Sequence, residues 1–177
     1  TSKNHKTGTD RIFEAIKKLN KLDIELVMNL QGDEPLISIE DIKNLHNKMI
    51  KSKYEMGTLA SNILNKDLYL KENLVKVITK KNLDNLNFPE AVNFVRKLNN
   101  YNQNIYHHLG VYCFQLETLR KFVSFKQTQN EIDSNLEQLR ALDNGLKINV
   151  SLARESTIGV DTKEDFVAIK KIMEYKS

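Results

Sequence analysis

The stretch Leu26-Val27-Met28-Asn29-Leu30-Gln31-Gly32-Asp33-Glu34-Pro35 most constrains the fold, because an apolar run ends there in a turn carrying two carboxylates. Residues 24 to 30 are mostly apolar without clean alternation, the pattern of a strand covered on both faces in a parallel sheet. Gly32 lets the backbone bend, and Pro35 has no N–H with which to rejoin a ladder, so Asp33 is held at the strand's carboxyl end. In open α/β sheets ligands bind at that end. Two readings stay open locally: acids that solvate a βα turn or cap the next helix, or acids that form a site.

The rest of the chain alternates helices with strands. Ile12, Ala15, Ile16 and Leu19 recur at helical spacing after a polar opening, with Thr9 or Asp10 placed to cap the helix. Ser38 and Asp41 have capping-box spacing before a helix facing the core through Ile42, Leu45 and Met49. Strands are expected over 56–63, 74–79, 91–95, 107–114 and 147–153, with a short turn or helix near Asp67 and a polar loop through Asn99 to Asn104. A short helix fits 116–123. Ile132, Leu136, Leu139 and Leu142 describe one helical stripe over 131–144, ended by a left-handed Gly145, with Glu137, Arg140 and Asn144 on an adjoining face. Thr162 and Asp165 open a last helix whose core face is Phe166, Ile169 and Ile172. Helices flanking buried strands predict a single layered α/β domain over 1–177.

Several function classes are excluded. No G-x-x-x-x-G-K-[ST] loop and no G-x-G-x-x-G turn is present, so neither a P-loop nucleotidase nor a dinucleotide enzyme is supported. The net charge of +4 comes from scattered Lys, without the block or aromatic platform a nucleic-acid surface needs. The lone Cys113 excludes an intrachain disulfide and suits a reducing compartment. With no run long enough to span a membrane and no signal peptide, a cytoplasmic protein is expected.

Asp33 closes one strand, and Asp161 lies in Gly159-Val160-Asp161-Thr162 between the last strand and the last helix. If both strands lie centrally in a parallel sheet, the two carboxylates converge and suit magnesium, which takes one or two protein oxygens and fills its octahedron with water and phosphate. The plain alternative for Asp161 is a helix cap. His107 and His108 are adjacent on a strand and point to opposite faces, so they cannot chelate one metal together. Glu137 with Arg140 has the spacing of an exposed helix pair.

Taken together, Thr1 to Arg11, Asn29 to Pro35, His108-Leu109-Gly110-Val111-Tyr112, Leu136-Glu137-Gln138-Leu139-Arg140 and Gly159-Val160-Asp161-Thr162 resemble the 3-deoxy-manno-octulosonate cytidylyltransferases, the CMP-KDO synthetases. The resemblance implies a Rossmann-like nucleotidyltransferase fold of three layers, a homodimer, and magnesium-dependent coupling of CTP to the sugar acid KDO, in lipopolysaccharide biosynthesis. It makes Asp33 and Asp161 the catalytic magnesium carboxylates. Gly8, Thr9 and Arg11 would lie against the nucleotide, and Arg96, His108, Glu137 and Gln138 would face the sugar acid. Alternatives are a cytidylyltransferase for another sugar acid, or a non-catalytic remnant or partner subunit of the same fold.

Three departures qualify the resemblance. Thr7 stands where the family reads Ser, and around Phe94 to Leu98 only Phe94 and Arg96 remain of the family pattern. The family also carries a first strand and a basic phosphate loop before the segment that begins here at Thr1. A separate N-terminal segment is therefore expected to be needed, with this polypeptide alone weakly active or inactive.

Overall fold

The computed structural model describes residues 1–20, 23–98, 103–156, 159–160 and 162–176. In chain order these form α1 (Gly8–Leu19), β1 (Leu26–Asn29), α2 (Ile39–Ser52), β2 (Met56–Ser61), a 3-10 turn (Lys66–Leu70), β3 (Lys76–Thr79), β4 (Ala91–Val95), β5 (Ile105–Gln115), α3 (Leu116–Ser124), α4 (Gln129–Ser134), α5 (Leu139–Asp143), β6 (Ile148–Leu152) and α6 (Lys163–Lys176). The expected strands are all present, β4 with the expected bounds.

The sheet runs β4-β3-β5-β2-β6, and β1 also pairs with β5. Strand β5 is antiparallel to each of its neighbours: β3 along its first residues, β1 along its last, and β2 on the other side. Among the described residues only β2 and β6 are parallel. Helices cover both faces. Ile12, Phe13 and Ile16 of α1 join Leu119, Phe122 and Leu139 over Val27, Phe94, Tyr112 and Phe114. On the opposite face Leu45 and Met49 of α2 pack over Leu59, Leu109 and Val111. Each such fully buried side chain stabilises the fold by roughly 1.5–3 kcal/mol. Three layers result, as expected.

Four expectations are corrected. Strand β1 is not a doubly covered member of a parallel sheet: it is four residues long, antiparallel to β5, with only Val27 buried and Leu30 exposed. The helix expected over 131–144 is two helices, because Asn135 adopts φ 51°, ending α4 by the left-handed conformation that Asn tolerates. Ile132 consequently turns outward while Leu136 and Leu139 stay buried. Helix α1 starts earlier than expected and is capped by Thr7, whose Oγ1 accepts from the Asp10 N–H at 3.4 Å; Thr9 is buried inside the first turn. In α6 only Ile169 of the three expected core residues is buried; Phe166 and Ile172 are exposed.

Other local signals match. Gly145 has φ 77° after α5. Thr162 and Asp165 exchange capping bonds, and Ser38 caps α2. Asp41 does not complete that box. It is buried and accepts instead from the Arg154 N–H at 3.2 Å.

Candidate active site

Three pairs of segments distant in sequence meet around the end of β1. The first pair is the Asp33 turn and the strand-to-helix connection after β6. The Val160 N–H donates to the Asp33 carbonyl at 2.8 Å. A Cβ on Gly159 would stand 3.5 Å from that carbonyl and 3.6 Å from Glu34 Oε1, so the two chains are in van der Waals contact. Strands β1 and β6 are not neighbours in the sheet, so it is the segment after β6, at Gly159 and Val160, that reaches Asp33. The Asp33 side chain is exposed there. Asp161 lies outside the described residues.

The second pair is the same turn and a bulge in β5. Pairing with β2 shifts register between Thr58, opposite Tyr112, and Leu59, opposite Leu109, which leaves Gly110 and Val111 unpaired. Thr58 fills the irregularity: its Oγ1 donates to the Val111 carbonyl at 2.7 Å and lies 2.9 Å from His108 Nε2. Because the hydroxyl has one proton, donation to Val111 makes it an acceptor toward His108, which fixes an Nε2–H tautomer. A Cβ on Gly110 would come within 2.8 Å of Gln31 Oε1, so the missing side chain makes room for Gln31.

The third pair is the opening loop and the break between α4 and α5. Thr7 and Thr9 lie against the Glu137 carboxylate. Burial raises the pKa of Glu137 above the ordinary carboxylate range, these hydroxyls and Arg140 opposing it in part. Its Oε1 is buried without a hydrogen-bond partner. The loop before Thr7 is tied to α1 through Glu14, which accepts from the Ser2 N–H at 2.8 Å and contacts His5 Nε2 and Lys18.

Glu137 is not the partner of Arg140, as helix spacing suggested. Arg140 is fully buried and forks onto Glu131, with Nε to Oε2 at 2.8 Å and Nη2 to Oε1 at 2.5 Å, its Cζ lying 4.7 Å over the Phe122 ring centroid. The helix break turns Glu137 away and swings Glu131 onto the guanidinium.

His108 is also buried, edge-on to Phe94 and tilted against Tyr112, with ring centroids 5.0 and 5.4 Å away. Burial, with His107 next to it, lowers its pKa to about 3, so the ring is neutral near pH 7. Glu137 is close enough to help hold the Tyr112 hydroxyl above its usual range, after burial itself. His107 points to the other face, as alternation requires, and shares a 2.7 Å hydrogen bond with Ser156. Arg96 aims three donors at main-chain carbonyls: Nε at Ser134 (3.0 Å), Nη2 at Asn135 (3.2 Å) and Nη1 at Glu72 (3.3 Å). Gln138 is buried at the start of α5, while Gly8 and Arg11 are exposed on the first turn of α1.

The geometry therefore gathers the Asp33 turn with Gly159 and Val160, and Glu137 with Thr7, Thr9 and Tyr112. Arg96 reaches this group through the carbonyls beside Glu137. Thr58, Gln31 and Glu131 were not found from sequence. Thr58 is the only hydroxyl between Met56 and Ala60 in the β2 run, and a polar residue inside a strand buried along its whole length is the signal that pointed to it.

A family model described as cytidylyltransferase matches residues 1–148. A 3-deoxy-manno-octulosonate cytidylyltransferase of Thermodesulfovibrio yellowstonii is 39% identical, over 98% of this chain and 72% of the relative. That of Bartonella tribocorum is 35% identical, over 98% and 71%. Among solved structures, a CMP:2-keto-3-deoxy-manno-octonic acid synthetase complexed with CTP superposes with a TM-score of 0.85 at 26% identity, over 98% of this chain and 70% of that one. A UDP-glucose pyrophosphorylase, at 13% identity and a TM-score of 0.70, shares the fold.

Proposed function

On the premise that the chain belongs to the 3-deoxy-manno-octulosonate cytidylyltransferase family, as its matches over nearly its whole length show, we propose that it couples CTP to KDO, forming CMP-KDO and pyrophosphate. The docking of Gly159 and Val160 on the Asp33 turn carries this reading, because it draws together the two motifs that hold the acids. In the reaction the anomeric oxygen of KDO bonds to the α-phosphorus as the bond to the β-phosphate bridge breaks.

Oxygen donors at an exposed strand end suit a hard cation, so Asp33 and Asp161 would hold magnesium. Bound there, it would neutralise charge on the phosphate oxygens. The chain's own groups orient the sugar acid. A guanidinium has five N–H donors, and Arg96 engages three on carbonyls, leaving two for the KDO carboxylate. His108, being neutral, contributes a polar ring rather than a charge. Glu137 and Gln138 complete the acceptor and amide set that a polyhydroxylated substrate requires. Gly8, Thr9 and Arg11 lie toward the nucleotide. No covalent intermediate is needed, and burial pushes the Cys113 thiol up to about 12, which makes it a poor nucleophile.

The same reading places the enzyme in the cytoplasm, as a homodimer serving lipopolysaccharide biosynthesis. No helix among the described residues is long and apolar enough to cross a membrane, and exposed Val92 on the outer strand β4 offers apolar surface to a second copy. Pyrophosphate release from CTP and KDO with magnesium tests the proposal. Assayed with and without an added N-terminal segment of the family's kind, release with KDO but not with sialic acid supports it; release only with another sugar acid, or none with either even when that segment is added, overturns it.

A further inference from the structure

Among the described residues, Lys76 in β3 is the one lysine with a fully buried side chain, at 0% exposure. Its ammonium has no carboxylate at ion-pairing distance among the described residues. It donates instead to the Lys71 carbonyl and, at 2.7 Å, to the Arg96 carbonyl. Enclosing an ammonium in a sheet costs several kcal/mol even after relaxation, and a methionine would fill the space without that cost. Its two acceptors suggest what the charge is for.

The Lys71 and Arg96 main chains are the two ends of one hydrogen-bonded frame. Lys76 holds Arg96 by its carbonyl, and the Arg96 side chain reaches back to the Glu72 carbonyl beside Lys71. From the same guanidinium two more donors reach Ser134 and Asn135, the residues that end α4. Asn135 is in the left-handed conformation, and Leu136, Glu137 and Gln138 follow it directly. The position of Glu137 thus depends on Arg96, and the position of Arg96 depends on Lys76.

We propose that Lys76 is a positioning residue for the sugar acid: it never touches substrate, and it fixes the Arg96 clamp that sets the Glu137-Gln138 turn. This rests on the function proposed above. The Asp33 turn lies outside the frame, and the opening loop meets the frame at Glu137 through Thr7 and Thr9, so the effect falls mainly on the sugar acid.

The test compares wild type with Lys76→Met, Lys76→Gln, Arg96→Gln and the Lys76→Met/Arg96→Gln double variant, measuring kcat and KM for KDO and CTP separately. Lys76→Met is expected to raise KM for KDO about tenfold, the scale of losing one or two charge-assisted hydrogen bonds, with KM for CTP within about twofold. Lys76→Gln, which keeps an N–H donor, should recover part of the loss. Because both residues act in one frame, the double variant should be no worse than the poorer single one. An unchanged KM for KDO, equal losses toward both substrates, additive effects in the double variant, or failure of both Lys76 variants to fold would each overturn the proposal. A wild-type protein that releases no pyrophosphate from CTP and KDO even when the N-terminal segment is added would instead overturn the function itself.

Discussion

Val160 and Asp33 are joined by a 2.8 Å main-chain hydrogen bond although their strands, β6 and β1, are separated in the sheet by β2 and β5. The bond uses the Asp33 carbonyl and leaves its carboxylate outward. Replacing Asp33 by Asn should therefore leave the thermal midpoint within a degree or two and lower magnesium-dependent turnover at least about a hundredfold, the scale of removing one electrostatic stabiliser. A magnesium titration of pyrophosphate release measures it, and normal turnover would remove Asp33 from the metal site.

Gly110 leaves room for Gln31, whose flexible end can give way. Gly110→Ala should displace Gln31 at little cost to folding and lower kcat/KM by about the same factor as Gln31→Ala. A double variant should show no added loss, since one contact is removed in each case. Additive losses would show that the two residues act separately.

Glu131 and Arg140 form a forked pair that is almost wholly enclosed. Arg140→Met leaves the buried Glu131 carboxylate without its counter-charge, with only the Gln127 amide and the Thr128 N–H donating to it, and should destabilise by about 3–5 kcal/mol in urea unfolding. Adding Glu131→Leu removes that orphaned charge and should restore most of the loss. A double variant as unstable as the single one would show that packing on Phe122, rather than charge, is what Arg140 supplies.

The two histidines of β5 make stability depend on pH. Burial lowers His107 to about 4 and His108 to about 3, from an ordinary 6.5. Below pH 6.5 the unfolded chain takes up protons that the folded chain refuses, so their stabilisation is complete above pH 6.5 and falls as pH drops toward 4 and then 3. Each contributes a slope of up to about 1.4 kcal/mol per pH unit. Buried Glu137 and Asp41, whose carboxyls are raised, act in the opposite sense. The difference between wild type and His108→Gln isolates one histidine: urea unfolding between pH 6.5 and 4.5 should show a shallower slope in the variant, and equal slopes would refute the burial of a neutral ring.

Much of the layering was legible because it rests on short-range physics. The extended runs at 56–63, observed as 56–61, and at 91–95 and the caps at Ser38 and Thr162 read directly, as did the left-handed Gly145. The break at Asn135 was not legible, because the stripe of Ile132, Leu136, Leu139 and Leu142 continues in helical register across it, and a single left-handed residue leaves no trace in periodicity. An apolar run such as 26–29 likewise does not report how many neighbours a strand has. In the site, the residues at the meeting points were readable only through motif resemblance, since nothing local to Gly159 says that it will rest on Asp33. Lys76 had a visible signal in Val75-Lys76-Val77, a charge between two apolar residues where a strand begins, but its partners are carbonyls, and carbonyls have no sequence.

Strand β5 carries one further consequence, for how such a chain can change over evolutionary time. Because β1, β2 and β3 all take their alignment from it, inserting or deleting one residue within 105–115 would reverse the facing of every position beyond the change. His108 and Tyr112 would then exchange faces with their neighbours, and Gly110 would leave Gln31. Substitutions in β5 can be absorbed one at a time, but its length cannot drift. Length variation among descendants of this sequence should fall instead in connections such as 62–64, between β2 and the 3-10 turn, ahead of the carbonyls that hold Lys76 and Arg96.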